Sequence, residues 1–413
     1  MELRWASRHW ITVKQTITDM MGNSYFGRET FMSINSLSIT PVPPGGGVVR
    51  MLMLVPQCHL LFIGPVACAR HDVLSSMYVY RDRVSYLCLE ELDIITGNWQ
   101  DLLVQAVGQI MDTVVLRPEA MLLYSGCQDS LIGTDYASLL TIFQKQYGIP
   151  FRHFAMNRMP SPSRAPLVHI LNKSLYDFLE IQDEHKDTIN LLGTMVPLAL
   201  DNELFTLLDK AGVQDILHVK KFQKFHEFQN MGSSRANLVL HPNALLAAEE
   251  METRLNIPWK FVPVSYSIAE IRIQYQQIEE LLGCSFDLSR YEEKLRYVIE
   301  DTKKIMGTTG LTVNGTGVCR PYDLARALTE YGFRVDELFA GPVPEYDQAA
   351  WVWVQKNVTD LVIRQPVTPA WTHFERALIV ELSSLEGAYF GFAAVGHLMK
   401  VLQETFYIAQ RSA

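Results

Sequence analysis

The sequence predicts an α/β protein built from three Rossmann-like domains, with parallel sheets around a central interdomain cleft. Along most of the chain, short apolar runs alternate with helical patterns of about 10 to 15 residues, the pattern of parallel βαβ units. The runs themselves are continuously apolar, which is typical of strands buried on both faces. A chain of 413 residues with 48% hydrophobic and 20% charged residues is long enough for two or three ordinary globular domains.

The first 45 residues form an N-terminal arm that closes on PVPPGGG at 41–47, a stiff proline turn followed by a glycine hinge. A first α/β domain is expected over 46–185. Its two clearest strands are HLLFI at 59–63 and AMLLY at 120–124, and an amphipathic helix is expected near 102–115.

A second domain over 186–295 shows the same alternation. Its predicted strands lie at 188–193, 215–219 and 236–241, and its predicted helices at 202–212 and 243–255. A third domain is expected over 296–375, with strands at 310–315 and 334–341 on either side of a helix at 323–333. The C-terminal segment 376–413 ends in a helical stretch at 391–410 that we expect to pack against the body.

Charge and composition argue against several classes of protein. There are 36 basic and 45 acidic residues, and the resulting net charge of −9 argues against a nucleic-acid binder, which needs a basic face. Six cysteines are too few for a disulfide scaffold in a chain of this length. The apolar stretch 51–69 combines residues that a membrane span excludes: Pro56, Gln57, His59, Gly64 and Pro65. With no signal-peptide pattern at the start, we expect a cytoplasmic protein without membrane or nucleic-acid partners.

Two cysteines stand where α/β sheets build their sites. Cys68 and Cys127 each follow an apolar run within a few residues, so both thiols are expected at the carboxyl ends of strands. The alternative is a pair of buried structural cysteines, because free cysteine is among the most buried residue types.

The flanking motifs resemble those of the nitrogenase component 1 family. That family includes catalytic subunits, cofactor-scaffold paralogues, dark-operative protochlorophyllide reductase and related reductases. The matching segments occur in the family's order over about 50–330: GPVAC (64–68), DIITGNWQDL (93–102), CQDSLIGTD (127–135), INLLG (189–193), ANLVLH (236–241), NIPW (256–259) and GTGVCRPYDLARAL (315–328). The resemblance implies that Cys68 and Cys127 bind an iron–sulfur cluster at a subunit interface.

The chain departs from the family in its cluster ligands. The family's first cysteine falls on Pro43 and Pro44 here, and Cys58 lies too far from Cys68 along an extended stretch to replace it. A cubane normally needs four thiolates, so two must come from a partner chain, a second copy or another ligand such as a carboxylate. A four-iron cluster shared in a heterodimer, a heterotetramer or a divergent homodimer fits these two cysteines better than an eight-iron cluster.

Three residues are candidates for cofactor binding in the cleft. The resemblance places His241 at the family's cofactor cysteine and Glu381 nearest to the family's cofactor histidine. Arg320 matches the family's Arg-Pro turn, where a guanidinium beside a helix N-terminus would bind an anionic group. Each has a purely structural alternative. A further metallocofactor and a tetrapyrrole are both candidates for the cleft, and whether either occupies it is left open by the sequence. Because the residues at the two cofactor-ligand positions differ from those of the catalytic subunits, dinitrogen reduction is not expected. No catalytic residue is assigned.

Two functions follow from the resemblance. The first is an oxidoreductase subunit that pairs with a homologous subunit and takes electrons from an ATP-dependent iron–sulfur reductase, through the interface cluster, to a substrate or cofactor in the cleft. The second is a non-catalytic scaffold on which a metallocofactor is assembled. A metal-chelate receptor of similar architecture is a fainter alternative, because it would leave Cys68 and Cys127 without a role.

Overall fold

The computed structural model describes residues 36–40, 48–65, 80, 82–156, 165–182, 186–315, 318–365, 378–381 and 388–412. The strands in chain order are β1 (Ser36–Thr40), β2 (Cys58–Gly64), β3 (Val84–Cys88), β4 (Ala120–Ser125), β5 (Phe151–Ala155), β6 (Lys186–Leu192), β7 (Asp215–Leu217), β8 (Ser234–Val239), β9 (Trp259–Phe261), β10 (Gly310–Asn314), β11 (Arg334–Phe339), β12 (Val362–Arg364) and β13 (Leu378–Glu381).

Helices separate most of these strands. In chain order they are α1 (Val48–Leu52), α2 (Glu91–Ile95), α3 (Trp99–Thr113), α4 (Asp129–Ile132), α5 (Tyr136–Tyr147), α6 (Leu167–Tyr176), α7 (Glu203–Lys210), α8 (Phe225–Phe228), α9 (Leu245–Leu255), α10 (Ile268–Leu282), α11 (Ser289–Met306), α12 (Pro321–Glu330), α13 (Gln348–Asn357) and α14 (Gly391–Ser412). The strands form three sheets in which each observed pairing is parallel. The predicted α/β class with several parallel sheets is therefore confirmed.

The first sheet has the strand order β3-β2-β4-β5. Its central strands β2 and β4 are buried at each position, which explains why their sequences are continuously apolar. One face packs on α3 and α5 through residues such as Trp99, Leu103 and Phe143. The other face packs on α1 and α6. Because the strands are parallel, all of them end at the same edge of the sheet, which we call its carboxyl edge.

The second sheet has the order β7-β6-β8-β9 and shares its hydrophobic cores with both neighbouring sheets. Leu192 and Val239 belong to the same apolar cluster as Leu60 and Leu122 of the first sheet. On the opposite side, the other face of the second sheet belongs to a cluster that includes the third sheet and α14. The three sheets are therefore held together by continuous apolar packing.

The third sheet has the order β12-β11-β10-β1-β13, and it contains a strand that the sequence analysis did not anticipate. β1 belongs to the N-terminal arm, yet it pairs in parallel with β10 on one side and β13 on the other. The sheet is thus assembled from distant parts of the chain. Local hydrophobic patterning contains no information about such pairing.

The C-terminal helix α14 packs against α11, and its N-terminus contacts α7. Glu203, at the start of α7, accepts hydrogen bonds from the backbone N–H groups of Phe392 (2.6 Å) and Ala393 (3.0 Å). Tyr275 donates a third hydrogen bond to the same carboxylate, at 2.8 Å. In the described part of the chain, no helix combines the length and apolarity needed to cross a bilayer.

Candidate functional site

Cys127 lies in an exposed turn directly after β4, at the carboxyl edge of the first sheet. The turn is tied together by one carboxylate. Asp129 accepts a hydrogen bond from Ser125 Oγ (3.2 Å), at the end of the strand, and one from Thr134 Oγ1 (2.5 Å), at the far end of the turn. The thiol is therefore presented to solvent from a loop whose two ends are fixed to the same side chain.

A partly buried histidine completes this network. His153 of β5 lies with Nε2 at 2.9 Å from Ser125 Oγ. The serine hydroxyl has a single proton, which it donates to Asp129, so His153 must donate from Nε2–H. Burial lowers the pKa of His153 to about 4, which keeps the ring neutral at physiological pH, and the ring stacks on Tyr136 with 3.6 Å between centroids. Hydrogen bonds therefore connect β5, through Ser125 and Asp129, to the turn that contains Cys127.

The other cysteines near this sheet differ sharply from Cys127. Cys58 begins β2 opposite Ala120, so it lies at the amino edge of the sheet, and burial raises the pKa of its thiol to about 12. Cys88 is buried in β3, and burial raises its pKa as well. Neither favours the thiolate that a cluster requires. Cys68, the second predicted cluster ligand, lies outside the described residues, so its role stays a prediction.

His241 follows β8 at the carboxyl edge of the second sheet. Its Nδ1 accepts a hydrogen bond from the backbone N–H of Asn243 at 3.2 Å, so the ring caps the next turn. Burial, and then the nearby His169 of α6, lower the pKa of His241 to about 4. Gly193 makes this packing feasible, because a Cβ there would lie 2.9 Å from the carbonyl oxygen of His241. The predicted cofactor contact of His241 stays a prediction.

Arg320 lies at the N-terminus of α12 and is buried among carboxylates. Its guanidinium is 3.4 Å from Glu270, 3.6 Å from Asp323 and 3.7 Å from Asp347. Burial disfavours the charged form, but these carboxylates outweigh it and raise the pKa of Arg320. The protein's own carboxylates thus occupy the surroundings in which an external anion was expected. That Arg320 binds an anion stays a prediction, and such an anion would have to compete with these three carboxylates.

The helix N-terminus beside Arg320 is also occupied. Asp347 accepts hydrogen bonds from the backbone N–H groups of Tyr322 (2.9 Å) and Asp323 (3.1 Å). Glu381 is the last residue of β13, paired in register with Thr40. Only its backbone is described, so its predicted role in cofactor binding stays open to experiment.

Sequence reasoning missed three residues that the fold brings to these positions. Asp129 sits inside the CQDSLIGTD motif, and its spacing of four and five residues from Ser125 and Thr134 was a usable signal for a closed turn. His153 and His169 had no such signal. His153 reaches the cysteine turn because β5 pairs with β4. His169 comes near His241 because of the packing of α6.

Comparison with known proteins agrees with this architecture. A family model described as nitrogenase component 1 type oxidoreductase matches residues 43–369. Two solved structures titled "Nitrogenase Cp1", at pH 6.5 and pH 5, superpose with TM-scores of 0.64 and 0.57. They are 12% and 17% identical to the chain, cover 93% and 98% of it, and are themselves each covered to 95%. At this identity the likeness shows the fold alone.

Three curated relatives are proteins named nitrogenase iron-molybdenum cofactor biosynthesis protein NifE. Those from Clostridium pasteurianum and Rippkaea orientalis are 24% and 23% identical, each over 63% of this chain. The one from Mesorhizobium japonicum is 27% identical over 47% of it. The matches span only 57%, 56% and 39% of these relatives' own lengths. Because the family model covers most of the chain, this protein belongs to the nitrogenase component 1-type oxidoreductase family.

Proposed function

We propose that this protein is a scaffold-type subunit of a nitrogenase-like complex. In this proposal it shares an iron–sulfur cluster with a homologous subunit and supports a metallocofactor in the cleft between its domains. The observation that carries the proposal is the Cys127 turn, in which an exposed thiol stands at the carboxyl edge of the first sheet on a loop tied by Asp129. The similarity to proteins named for cofactor biosynthesis favours assembly over catalysis.

The described thiols allow a partial test of fit to a cluster. Cys127 fits, because it is exposed and can be approached by a second subunit. Cys58 and Cys88 do not fit, because both are buried with raised pKa values. With Cys68, the chain would supply two of the four thiolates that a cubane needs, and the partner would supply the rest. When bound, such a cluster supplies one-electron transfer.

A second candidate is the oxidoreductase subunit that receives electrons from an ATP-dependent iron–sulfur reductase. The surface position of Cys127 favours this function too, because electrons from a docked protein would enter through a cluster near the surface. In that case His169 and His241 would lie beside a substrate rather than beside a cofactor under assembly. The pKa values of both histidines are lowered mainly by burial.

The proposal is tested by anaerobic purification of the chain with its partner, followed by iron, sulfide and heteroatom analysis and electron paramagnetic resonance. Cys127→Ala is expected to abolish the cluster signal, whereas Cys284→Ala, which removes a partly exposed thiol elsewhere, should leave it unchanged. An unchanged cluster in Cys127→Ala would overturn the proposal.

Scaffold and reductase are then separated by what the loaded complex does. A scaffold transfers its metallocofactor to an apo acceptor protein without consuming reductant in turnover. A reductase subunit instead supports continuous, ATP-dependent substrate reduction when the component 2-like protein is added. Sustained turnover without cofactor transfer would reject the scaffold function in favour of the second candidate.

A further inference from the structure

Two histidines at the carboxyl edge of the second sheet have the same local geometry. His218 follows β7 and accepts a hydrogen bond at Nδ1 from the backbone N–H of Lys220, at 3.2 Å. His241 follows β8 and accepts one at Nδ1 from Asn243, also at 3.2 Å. A backbone N–H can only donate, so Nδ1 of each ring must carry a lone pair rather than a proton.

Both rings are neutral, which fixes the remaining proton. Burial is the main cause that lowers the pKa of each histidine to about 4. A neutral imidazole without a proton on Nδ1 must carry it on Nε2. The distal nitrogen of both rings is therefore an N–H donor, with no lone pair available to a metal ion.

The two histidines differ in what receives that proton. His218 Nε2 lies 3.0 Å from the carbonyl oxygen of Thr194 and 3.2 Å from its hydroxyl, so this donor is used within the protein. Among the residues that the structure describes, no hydrogen bond is recorded for His241 Nε2.

We infer that His241 presents its Nε2–H group as a hydrogen-bond donor to an electron-rich acceptor atom of the bound cofactor, a sulfide or an oxyanion oxygen, and does not coordinate a metal ion. The inference rests on the proposed function for the identity of the ligand. It differs from the expectation that His241 replaces a metal-ligating cysteine. A metal could be bound at Nε2 only if the proton moved to Nδ1, and that would break the cap on Asn243.

The protonation state can be measured in the metal-free chain. Long-range proton–nitrogen NMR of protein labelled with ¹⁵N-histidine distinguishes the two neutral tautomers, and the His241→Asn and His218→Asn variants assign the signals. We expect both histidines to be neutral at pH 7 with the proton on Nε2. A proton on Nδ1 of His241, or a doubly protonated ring, would overturn the inference.

Cobalt(II) alone is the probe for coordination. His241→Asn removes the distal nitrogen, while the asparagine side-chain oxygen keeps the cap on Asn243. Because His241 is not a metal ligand in this inference, the wild-type chain and the variant are expected to bind Co²⁺ with equal affinity. Binding about tenfold weaker in the variant would mean that His241 is a ligand.

The loaded complex supplies the last comparison. His241→Gln keeps a distal N–H donor and should retain the cofactor, whereas His241→Asn should hold it about tenfold or more weakly. His218→Asn, which removes the equivalent ring at β7, controls for lost packing. Equal loss in His241→Gln and His241→Asn would reject the donor role. Absence of any metallocofactor from the wild-type complex would instead reject the proposed function, while the tautomer measurement would still judge His241.

Discussion

At the scale of single residues, Asp347 carries the clearest conflict between burial and charge. It is completely buried, yet it faces Arg320 and accepts two backbone N–H groups at the start of α12. Burial outweighs these partners and raises the pKa of Asp347 to about 6 from its ordinary 3.8. Because Glu270 and Asp323 also lie against Arg320, the cluster holds more negative than positive charge.

This shift predicts a pH dependence of stability. A raised folded-state pKa means that the folded protein binds the proton more tightly, so the contribution of Asp347 is fully present below pH 3.8 and is lost as pH rises through about 6. Asp347→Asn cannot ionise, so its free energy of unfolding relative to wild type should rise by up to about 3 kcal/mol between pH 4 and pH 7. Its side-chain N–H₂ group would face one of the two backbone N–H donors, which adds a destabilisation that is the same at both pH values. Urea unfolding of the two proteins at both pH values measures the difference.

The control is Glu345→Gln, which changes an exposed carboxylate in the same turn. It should leave the pH profile of wild type unaltered. A parallel pH profile for Asp347→Asn and wild type would show that the buried carboxylate does not titrate in this range.

The Asp129 network gives a second prediction at this scale. Asp129→Ala removes the acceptor of both Ser125 and Thr134, so it should lower the free energy of unfolding by about 1–2 kcal/mol. It should also loosen the turn and increase the rate at which iodoacetamide alkylates Cys127, measured by mass spectrometry of the labelled peptide.

Asp135→Ala is the matched control for that experiment. Asp135 caps α5 through the backbone N–H of Ser138, at 3.1 Å, and its removal should weaken this cap while leaving the hydrogen bonds of Asp129 intact. An alkylation rate for Asp129→Ala no higher than that of the control would mean that Asp129 does not hold the turn.

At the scale of elements, the N-terminus of α14 depends on Glu203 of α7, a helix that lies far from it in the sequence. Glu203 satisfies two backbone N–H groups of this helix and the hydroxyl of Tyr275. Gly391 permits the contact, because its φ of +62° and its closeness to Glu203 would not accommodate a side chain. Burial raises the pKa of Glu203, although its hydrogen-bond donors act in the opposite direction.

Removing this carboxylate should detach the helix start. Glu203→Ala leaves two buried donors and one partly buried donor without an acceptor, and we expect a loss of about 2–4 kcal/mol in the free energy of unfolding. Glu404→Ala, which removes an exposed side chain of the same helix, should change it by less than about 0.5 kcal/mol. Hydrogen exchange of the first turn of α14 should rise only in Glu203→Ala; equal protection in both variants would contradict this account.

At the scale of the whole molecule, the third sheet depends on the N-terminal arm. β1 lies between β10 and β13, so its removal exposes one edge of β10 and leaves β13 without its described partner. Deletion of residues 1–40 should therefore prevent folding or yield an aggregating protein, whereas deletion of 1–34 keeps the strand and should preserve the fold. Circular dichroism and gel filtration of the two truncated chains decide this. A folded, monodisperse chain lacking 1–40 would contradict it.

Sequence alone determined a large part of this protein. The buried strands β2 and β4 are continuously apolar because both of their faces are covered, and this made them recognisable. The alternation of strands and helices gave the α/β class, and the ordered motifs around Cys127 gave the family resemblance that the family match confirms. These are local signals, written in consecutive residues.

Tertiary structure decided what depends on residues far apart in the chain. β1 could not be assigned from its sequence, because parallel pairing with β10 and β13 joins segments separated by hundreds of positions. Arg320 could be placed at a helix start from its motif, but the carboxylates that neutralise it come from Glu270 and Asp347 on other elements. A charged group's partners, and therefore its pKa and its chemistry, are set by packing rather than by spacing along the chain.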